Sequence, residues 1–285
     1  MQTTLFSSST TLMDTGTLVG PRPAAYSLND SNTKPSKRTL TVRNYSRRPQ
    51  SFVILASPPA FAPLSVPYVV RHCVYQASLQ VAAETGSHTF VLPVLGGQPG
   101  ADDTGSKSGP VYAITGRARQ KPEAGVALFV SDTHTLQEGD GVGPGERCAM
   151  TMPEGYEAGF SKVKMPKDLD DDDPVANSKG TVGIETDNTF NSMHPGYPFV
   201  RLGAPNPYNP REIVRLVTWD AVPGNAYLIR PNLHTWIVAR DTAEKGSIFE
   251  LAQSAKTQTI SFAAGEVAAE VIFEKNGTFT LIKGI

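Results

Sequence analysis

The chain has 285 residues, of which 39% are hydrophobic and 19% charged, so it can bury an apolar core and does not have the composition of a disordered protein. Its formal net charge of −1 gives no long-range field that would attract a polyanion, and we expect no nucleic-acid partner. The 25 glycines and 23 prolines predict many turns and few long helices.

The N-terminal part of the chain changes character near Lys37. Residues 1–36 are rich in Ser, Thr, Asn and Pro without sustained periodicity, which predicts a flexible leader before a single β-sandwich-like domain over 37–285. Apolar and polar residues then alternate on both sides of the stretch NYSRRP, as they do in strands. We therefore interpret 38–59 as a β-hairpin whose turn residues carry Arg47 and Arg48 at a solvated tip.

The middle of the chain is the hardest part to assign. Further strands are predicted at 111–118, 125–130, 181–186 and 212–219, within and beside a loop-rich insert over about 96–210. The Gly-rich segment 96–110 lacks the spacing of a phosphate-binding loop, and the acidic run Asp168–Asp173 lacks the spacing of an EF-hand. We interpret both as solvated loops.

The C-terminal third has the clearest pattern. Strands are predicted at 229–239, 247–251 and 257–262, and Asn276-Gly277 predicts a two-residue type I′ hairpin turn that pairs Phe273 with Thr280. Apolar residues on both faces of this hairpin indicate that it is buried. The predicted fold class is all-β, an antiparallel β-sandwich or flattened barrel with long Pro/Gly-rich loops.

Two stretches of the sequence resemble the rhizosphere-induced RhiA-type protein family, a poorly characterised group found in bacteria and fungi. TLTVRNYSRRPQSFVILASPP followed by YVVRHCVYQA is similar to the family's strand, Asn-x-Ser turn and second strand, and the segment from RPNLHTWIVA to EKNGTFTL is similar to its closing pattern. Together they cover roughly a third of the chain and contain no catalytic motif. The resemblance implies an all-β body and no established activity.

The sequence offers no signature of a metal site, a cofactor or a covalent catalyst. None of the five histidines forms an i,i+2 or i,i+4 pair, GxSxG is absent, and two cysteines are too few for a disulfide scaffold. His72 and Cys73 are adjacent, so in a strand their side chains point to opposite faces and cannot act as a dyad. We expect no cofactor and no metal, and Cys73 is interpreted as a small core residue.

Large amphipathic side chains in or beside apolar strands are the remaining candidates for a site. Within a sandwich they would line a pocket in which rings give shape and polar tips orient an apolar ligand, although the two tryptophans are also typical core anchors. The predicted ligand-binding residues are His72, Tyr75, Tyr112, Trp219, His234 and Trp236.

The function predicted from these observations is that of a non-catalytic binding or interaction protein holding a small hydrophobic metabolite. An alternative is a cofactor-independent cyclase or isomerase acting on an apolar natural product of secondary metabolism, because such catalysis leaves almost no sequence motif. A second alternative is a carbohydrate-binding lectin, suggested by the aromatic and Asn-rich stretch 194–210. We expect a cytoplasmic location and no membrane partner, since no signal peptide or long apolar run occurs; the oligomeric state stays open.

Overall fold

The structure is a computed structural model, and it confirms the all-β prediction. The predicted leader, the Gly-rich segment 96–110 and the acidic run lie outside the described residues. The described residues are 37–61, 69–93, 111–136, 147–152, 157–162, 181–190, 196–232, 234–251, 256–263 and 265–282. Their strands are β1 (Lys37–Asn44), β2 (Phe52–Ala56), β3 (Ala60–Phe61), β4 (Arg71–Ala77), β5 (Gly86–Pro93), β6 (Val111–Ala118), β7 (Leu128–Leu136), β8 (Arg147–Thr151), β9 (Gly159–Lys162), β10 (Val182–Thr186), β11 (Pro198–Asn206), β12 (Asn209–Asp220), β13 (Ala226–Arg230), β14 (Thr235–Arg240), β15 (Ile248–Phe249), β16 (Thr257–Ser261), β17 (Ala268–Phe273) and β18 (Phe279–Ile282).

The strands form three sheets. Sheet A has four strands in the order β18-β17-β1-β5, and sheet B has five in the order β3-β13-β10-β8-β9. Sheet C has nine strands in the order β16-β14-β2-β4-β12-β11-β6-β7, with β15 paired to β4. Most neighbours are antiparallel, whereas β1–β17 and β8–β10 are parallel. Over the described strands the sheets do not close into a barrel, so the sandwich is the correct one of the two predicted architectures.

One hydrophobic core takes side chains from all three sheets. Phe52 of sheet C meets Phe273 of sheet A edge to face, with ring centroids 5.5 Å apart. Trp219, also of sheet C, meets Phe61 and Tyr227 of sheet B at 5.4 and 5.7 Å. Sheet C is therefore one layer, and it packs against both smaller sheets through aromatic contacts of the kind that add to simple area burial.

The two strands predicted around the arginine-rich stretch are present, but they do not form the predicted hairpin. β1 pairs with β17 and β5 in sheet A, whereas β2 pairs with β14 and β4 in sheet C. The loop between them therefore crosses from one sheet to another. The burial of the two strands explains why they belong to different sheets. All five residues of β2 are buried, as in a central strand, whereas β1 alternates between buried and accessible residues. Arg47 and Arg48 are exposed, as predicted.

The predicted strand over 229–239 is two strands in two different sheets. β13 ends at Arg230 and pairs with β10 in sheet B, and β14 begins at Thr235 and pairs with β2 and β16 in sheet C. Pro231 follows β13 directly and has no N–H for a ladder, which ends the strand there. The described parts of the segment 96–210 likewise carry strands β6 to β11 of sheets B and C.

The final hairpin exists, but its turn and register differ from the prediction. Phe273 pairs with Phe279, and three residues separate the bonded pair Glu274 and Thr278. Only Gly277 takes a positive φ (78°), while the Asn276 side chain accepts a hydrogen bond from the Thr278 N–H at 2.9 Å. This geometry is a three-residue loop with a left-handed glycine. β18 is a half-exposed edge strand, so the prediction of a buried hairpin is wrong for this strand.

Cys73 and Cys148 are both buried thiols, which fits the interpretation of Cys73 as a core residue. In the portion of the chain that the structure describes, no helix is both long and apolar enough to cross a membrane.

Candidate functional site

The predicted aromatic residues are packed into the core. Tyr75 and Trp236 are fully buried with ring centroids 5.0 Å apart, and the Tyr75 hydroxyl donates to the Pro205 carbonyl at 3.1 Å. Trp219 is also fully buried, but it belongs to the separate aromatic group with Phe61. The structure therefore brings Tyr75 and Trp236 together and places Trp219 elsewhere.

The other predicted residues are dispersed. His72 is buried, and its Nδ1 lies 3.0 Å from the Ala56 carbonyl; because a carbonyl can only accept, Nδ1 carries the hydrogen. Tyr112 is half-buried on β6, in register with Gly203 and Thr135 of the neighbouring strands. None of the six residues lines the groove described below, and their binding of an apolar ligand stays a prediction.

His234 links sheet A to the segment before β14. Its Nδ1 accepts a hydrogen bond from Nη1 of Arg38 at 3.0 Å, and Arg38 also donates to the Glu266 carbonyl at 3.3 Å. Burial lowers the pKa of His234, and the positive charges of Arg38 and Arg230 lower it further. Protonation of His234 would remove the acceptor and place two cations side by side.

We expect the protein to lose stability as pH falls from 7 to 5. The pKa of His234 lies below its ordinary value of 6.5 in the folded state, so below about pH 6.5 the unfolded chain takes up the proton more readily and stability falls. His234→Gln keeps an acceptor for Arg38 and does not titrate, so its loss of stability over this range should be smaller. Urea unfolding midpoints at pH 7 and pH 5 measure both; a variant that loses as much as the wild type would contradict the assignment.

One pocket formed by described residues is an open groove of about 840 Å³ at one end of sheet A. Its wall is made by three segments that are far apart in sequence: the residue after β1, the turn before β5, and the β17–β18 turn with the start of β18. The lining residues are Tyr45, Glu84, Thr85, Glu274, Lys275, Asn276, Thr278 and Thr280. All are polar or amphipathic, so the groove suits a hydrogen-bonding ligand.

Backbone hydrogen bonds hold the three segments together. Tyr45 donates from its N–H to the Phe273 carbonyl at 2.9 Å, which continues the β1–β17 ladder into the groove. Glu84 donates to the Ser46 carbonyl at 3.1 Å, and Glu274 donates to the Thr278 carbonyl at 2.8 Å. The groove is thus shaped by main-chain contacts and does not depend on side-chain rotamers alone.

Asn44 organises two of these segments from inside the protein. Its side chain is fully buried, and Nδ2 lies 2.9, 3.0 and 3.1 Å from the carbonyls of Arg48, Val81 and Ala82. Its Oδ1 accepts from the N–H of Ser46 at 3.0 Å. The Asn44 amide therefore joins the 45–48 loop to the turn before β5. Asn side chains commonly bond to the backbone in this way in turns.

The turn before β5 has a constrained backbone. Glu84 has a φ of 65°, and it is the one described residue other than glycine with a positive φ. Gly86 closes the turn so tightly that a Cβ there would lie 2.4 Å from the Ala82 carbonyl oxygen. A glutamate in the left-handed region costs on the order of 1 kcal/mol, and such residues are found disproportionately at functional sites.

The groove carries two carboxylates, Glu84 and Glu274, and one ammonium group, Lys275. Tyr45 is 36% exposed and presents its ring at the wall. Arg43, which contacts Tyr45, is itself held by a two-point ion pair with Glu270 at 2.7 and 3.1 Å. The groove can accept hydrogen bonds from hydroxyl groups and offers one aromatic face. Within the described residues, no group of three His, Cys, Asp or Glu is placed to hold a metal ion.

Sequence reasoning did not select any of the groove residues. In the stretch around Tyr45 the local sequence signal is the pair of arginines, but Arg47 and Arg48 do not line the groove, whereas Tyr45 does. Glu84 and Glu274 carry no local signal, because the pairing of β1 with both β5 and β17 brings their segments together. The stretch 194–210, considered for a lectin, has exposed Tyr197 and Tyr208 at opposite ends of β11, too far apart for one sugar site.

Comparison of the chain with protein-family models, with curated proteins and with solved structures finds no match. The groove is therefore the feature from which we infer a function.

Proposed function

We propose that this protein is a non-catalytic binding protein and that the groove at the end of sheet A takes a neutral carbohydrate. The observation that carries the proposal is the convergence of one exposed ring, Tyr45, with two carboxylates and hydroxyl and amide side chains around an open volume of about 840 Å³. A sugar presents apolar C–H faces and many hydroxyl groups, so it needs both kinds of contact at once.

The charges of the groove narrow the ligand class. Glu84 and Glu274 outweigh Lys275 among the lining side chains, and the Lys256 ammonium donates to the Asn276 carbonyl at 3.0 Å beside them, so the groove has no excess of cations that would favour an acidic sugar or a phosphorylated ligand over a neutral one. Carboxylates accept hydrogen bonds from hydroxyl groups, and such charge-assisted bonds are stronger than neutral ones. The openness of the groove favours the end or side of an oligosaccharide over a small molecule that must be enclosed.

The proposal retains part of the function expected from the sequence and changes the ligand. A binding protein was the first expectation, and a carbohydrate was one of its alternatives. Binding of an apolar metabolite and cyclase or isomerase activity stay predictions, as do the RhiA-type resemblance and the cytoplasmic location. No specific contact among the described residues favours these over the groove.

The test is binding of neutral and sialylated oligosaccharides on a glycan array, followed by calorimetric titration of the best neutral glycan. Tyr45→Ala removes the ring and Glu84→Gln removes a charged acceptor, so each should weaken binding by about tenfold or more. Arg47→Ala and Arg48→Ala change the same loop outside the groove and should leave the affinity within about twofold.

Two results would contradict the proposal. One is the absence of binding to any neutral glycan by the folded wild-type protein. The other is glycan binding that Tyr45→Ala and Glu84→Gln leave unchanged, because the site would then lie elsewhere.

A further inference from the structure

Arg201 is a buried cation in the centre of sheet C. It lies on β11 between Val200 and Leu202, both of which point into the main core, so strand alternation places Arg201 on the opposite face. The residue is only 1% exposed. Its guanidinium stacks over the ring of Phe199, with Cζ 4.9 Å from the ring centroid.

Two of the three guanidinium nitrogens of this side chain lack acceptors. Nε and Nη1 of Arg201 are both buried and make no hydrogen bond. The Phe199 ring contacts the face of the guanidinium. The N–H bonds of the guanidinium lie in its plane, so Phe199 cannot accept hydrogen bonds from them. Buried polar atoms in folded proteins are nearly always paired, and a buried arginine without an acid is rarer still.

The neighbouring charges do not compensate Arg201. In register across the sheet, Arg201 pairs with Thr218, and Thr218 pairs with Arg71. Arg71 binds both carboxylate oxygens of Asp220 at 3.0 and 3.1 Å, so the nearby acid is already engaged. The Thr218 hydroxyl donates to the Val200 carbonyl, so this neighbour does not pair with the Arg201 guanidinium.

A second arginine adds to the positive charge. Arg215 lies opposite Gly203 on β12, on the same face as Arg201. Among the described residues it donates to the Gly246 carbonyl, at a long distance of 3.5 Å. Burial lowers the pKa of Arg201 to about 10, so the side chain is still a cation near neutral pH. Burial raises the pKa of the nearby Cys73 thiol, and the positive charges of the two arginines offset only part of that rise.

We propose that Arg201, assisted by Arg215, binds a small oxyanion on the face of sheet C that points away from the main core. The ligand chemistry is a carboxylate or phosphate group, because oxygen acceptors satisfy buried guanidinium N–H groups and their charge offsets the excess of cations. The site is separate from the carbohydrate groove, which lies at one end of sheet A and is lined by two carboxylates, so either can exist without the other.

The test measures thermal unfolding and calorimetric binding of the full chain with inorganic phosphate and, separately, with acetate, each against sodium chloride at equal ionic strength. We expect a saturable rise in melting temperature with one of the two anions, which identifies the oxyanion class. Arg201→Met keeps an unbranched apolar side chain in place of the aliphatic part of the arginine and removes the charge, so its affinity should fall at least tenfold. Arg38→Met is the matched control, a buried arginine whose donors are already paired, and its affinity should be unchanged.

Arg215→Met is a second variant for the case in which Arg201→Met does not fold, and it should weaken binding several-fold. The proposal is overturned if neither anion raises the melting temperature beyond the chloride control. It is also overturned if Arg201→Met, or in its place Arg215→Met, binds as tightly as the wild type. Tyr45→Ala should bind the anion normally, which keeps this result independent of the carbohydrate test.

Discussion

Replacing Asn44 with alanine is expected to lower the free energy of unfolding by about 3 kcal/mol, a large effect for one polar residue. The Asn44 amide is fully buried, and its removal would leave the buried Ser46 N–H without its acceptor and the part-buried Ala82 carbonyl without this donor. The Val81 carbonyl would keep its bond from the Gln50 N–H, so the loss is less than the full set of contacts suggests. Each buried polar group left unpaired costs about 1–3 kcal/mol.

The measurement is urea unfolding of the wild type, Asn44→Ala and Asn276→Ala. Asn276 is the matched control because it also accepts a hydrogen bond in a turn, from Thr278, but it is exposed and water can replace the contact. Its loss should be below about 1 kcal/mol. Equal losses for the two variants would show that burial of the Asn44 amide does not matter. Because Asn44 ties together two walls of the groove, Asn44→Ala should also weaken glycan binding in the folded fraction.

The second large effect is expected for Trp236→Ala, with a loss of about 3–5 kcal/mol in the free energy of unfolding. Trp236 is fully buried in sheet C, pairs in register with Ala56 and Ile260, and packs against the ring of Tyr75. Truncation would leave a cavity that neighbouring strands can fill only in part, because each is fixed by its ladder. The affinity for the glycan per folded molecule should not change.

Trp236→Ala also tests the earlier expectation of an apolar ligand. The control is Tyr197→Ala, which removes an aromatic ring that is 47% exposed and should change stability by less than about 0.5 kcal/mol. Folded fractions from urea curves and binding of an apolar fluorescent dye are measured on the same samples. A variant that keeps wild-type stability but loses dye binding would move Trp236 from the core to a ligand site and would revive the predicted apolar pocket.

The proposed carbohydrate groove and the proposed oxyanion site differ in the physical property that selects their ligands. At the groove, Glu84 and Glu274 are exposed to water, so selectivity comes from shape and from the pattern of acceptors. At Arg201 the charge is buried and unpaired, so the selection is for negative charge. Each site can be changed by substitutions that leave the other site intact.

Local patterns in the sequence predicted several strands correctly. Alternation predicted β6, β10 and most of β12, and Asn276-Gly277 predicted a hairpin at Gly277. These features depend on neighbours within a few residues, where side-chain period and backbone propensity act directly. The all-β class follows from them, because strands of this kind must bury one face against another sheet.

Only the tertiary structure decided which strands pair, and this determined both proposed sites. The parallel pairing of β1 with β17 joins Tyr45 to Glu274 across more than two hundred residues, and the pairing of β11 with β6 places Arg201 in an interior strand of sheet C. No residue pattern encodes these partners, because pairing is selected by how all the sheets together bury their apolar faces, and many strands of equal hydrophobicity compete for each position. The sequence by itself determined that this protein is built from strands and turns; the arrangement of those strands in space determined where a ligand can be held.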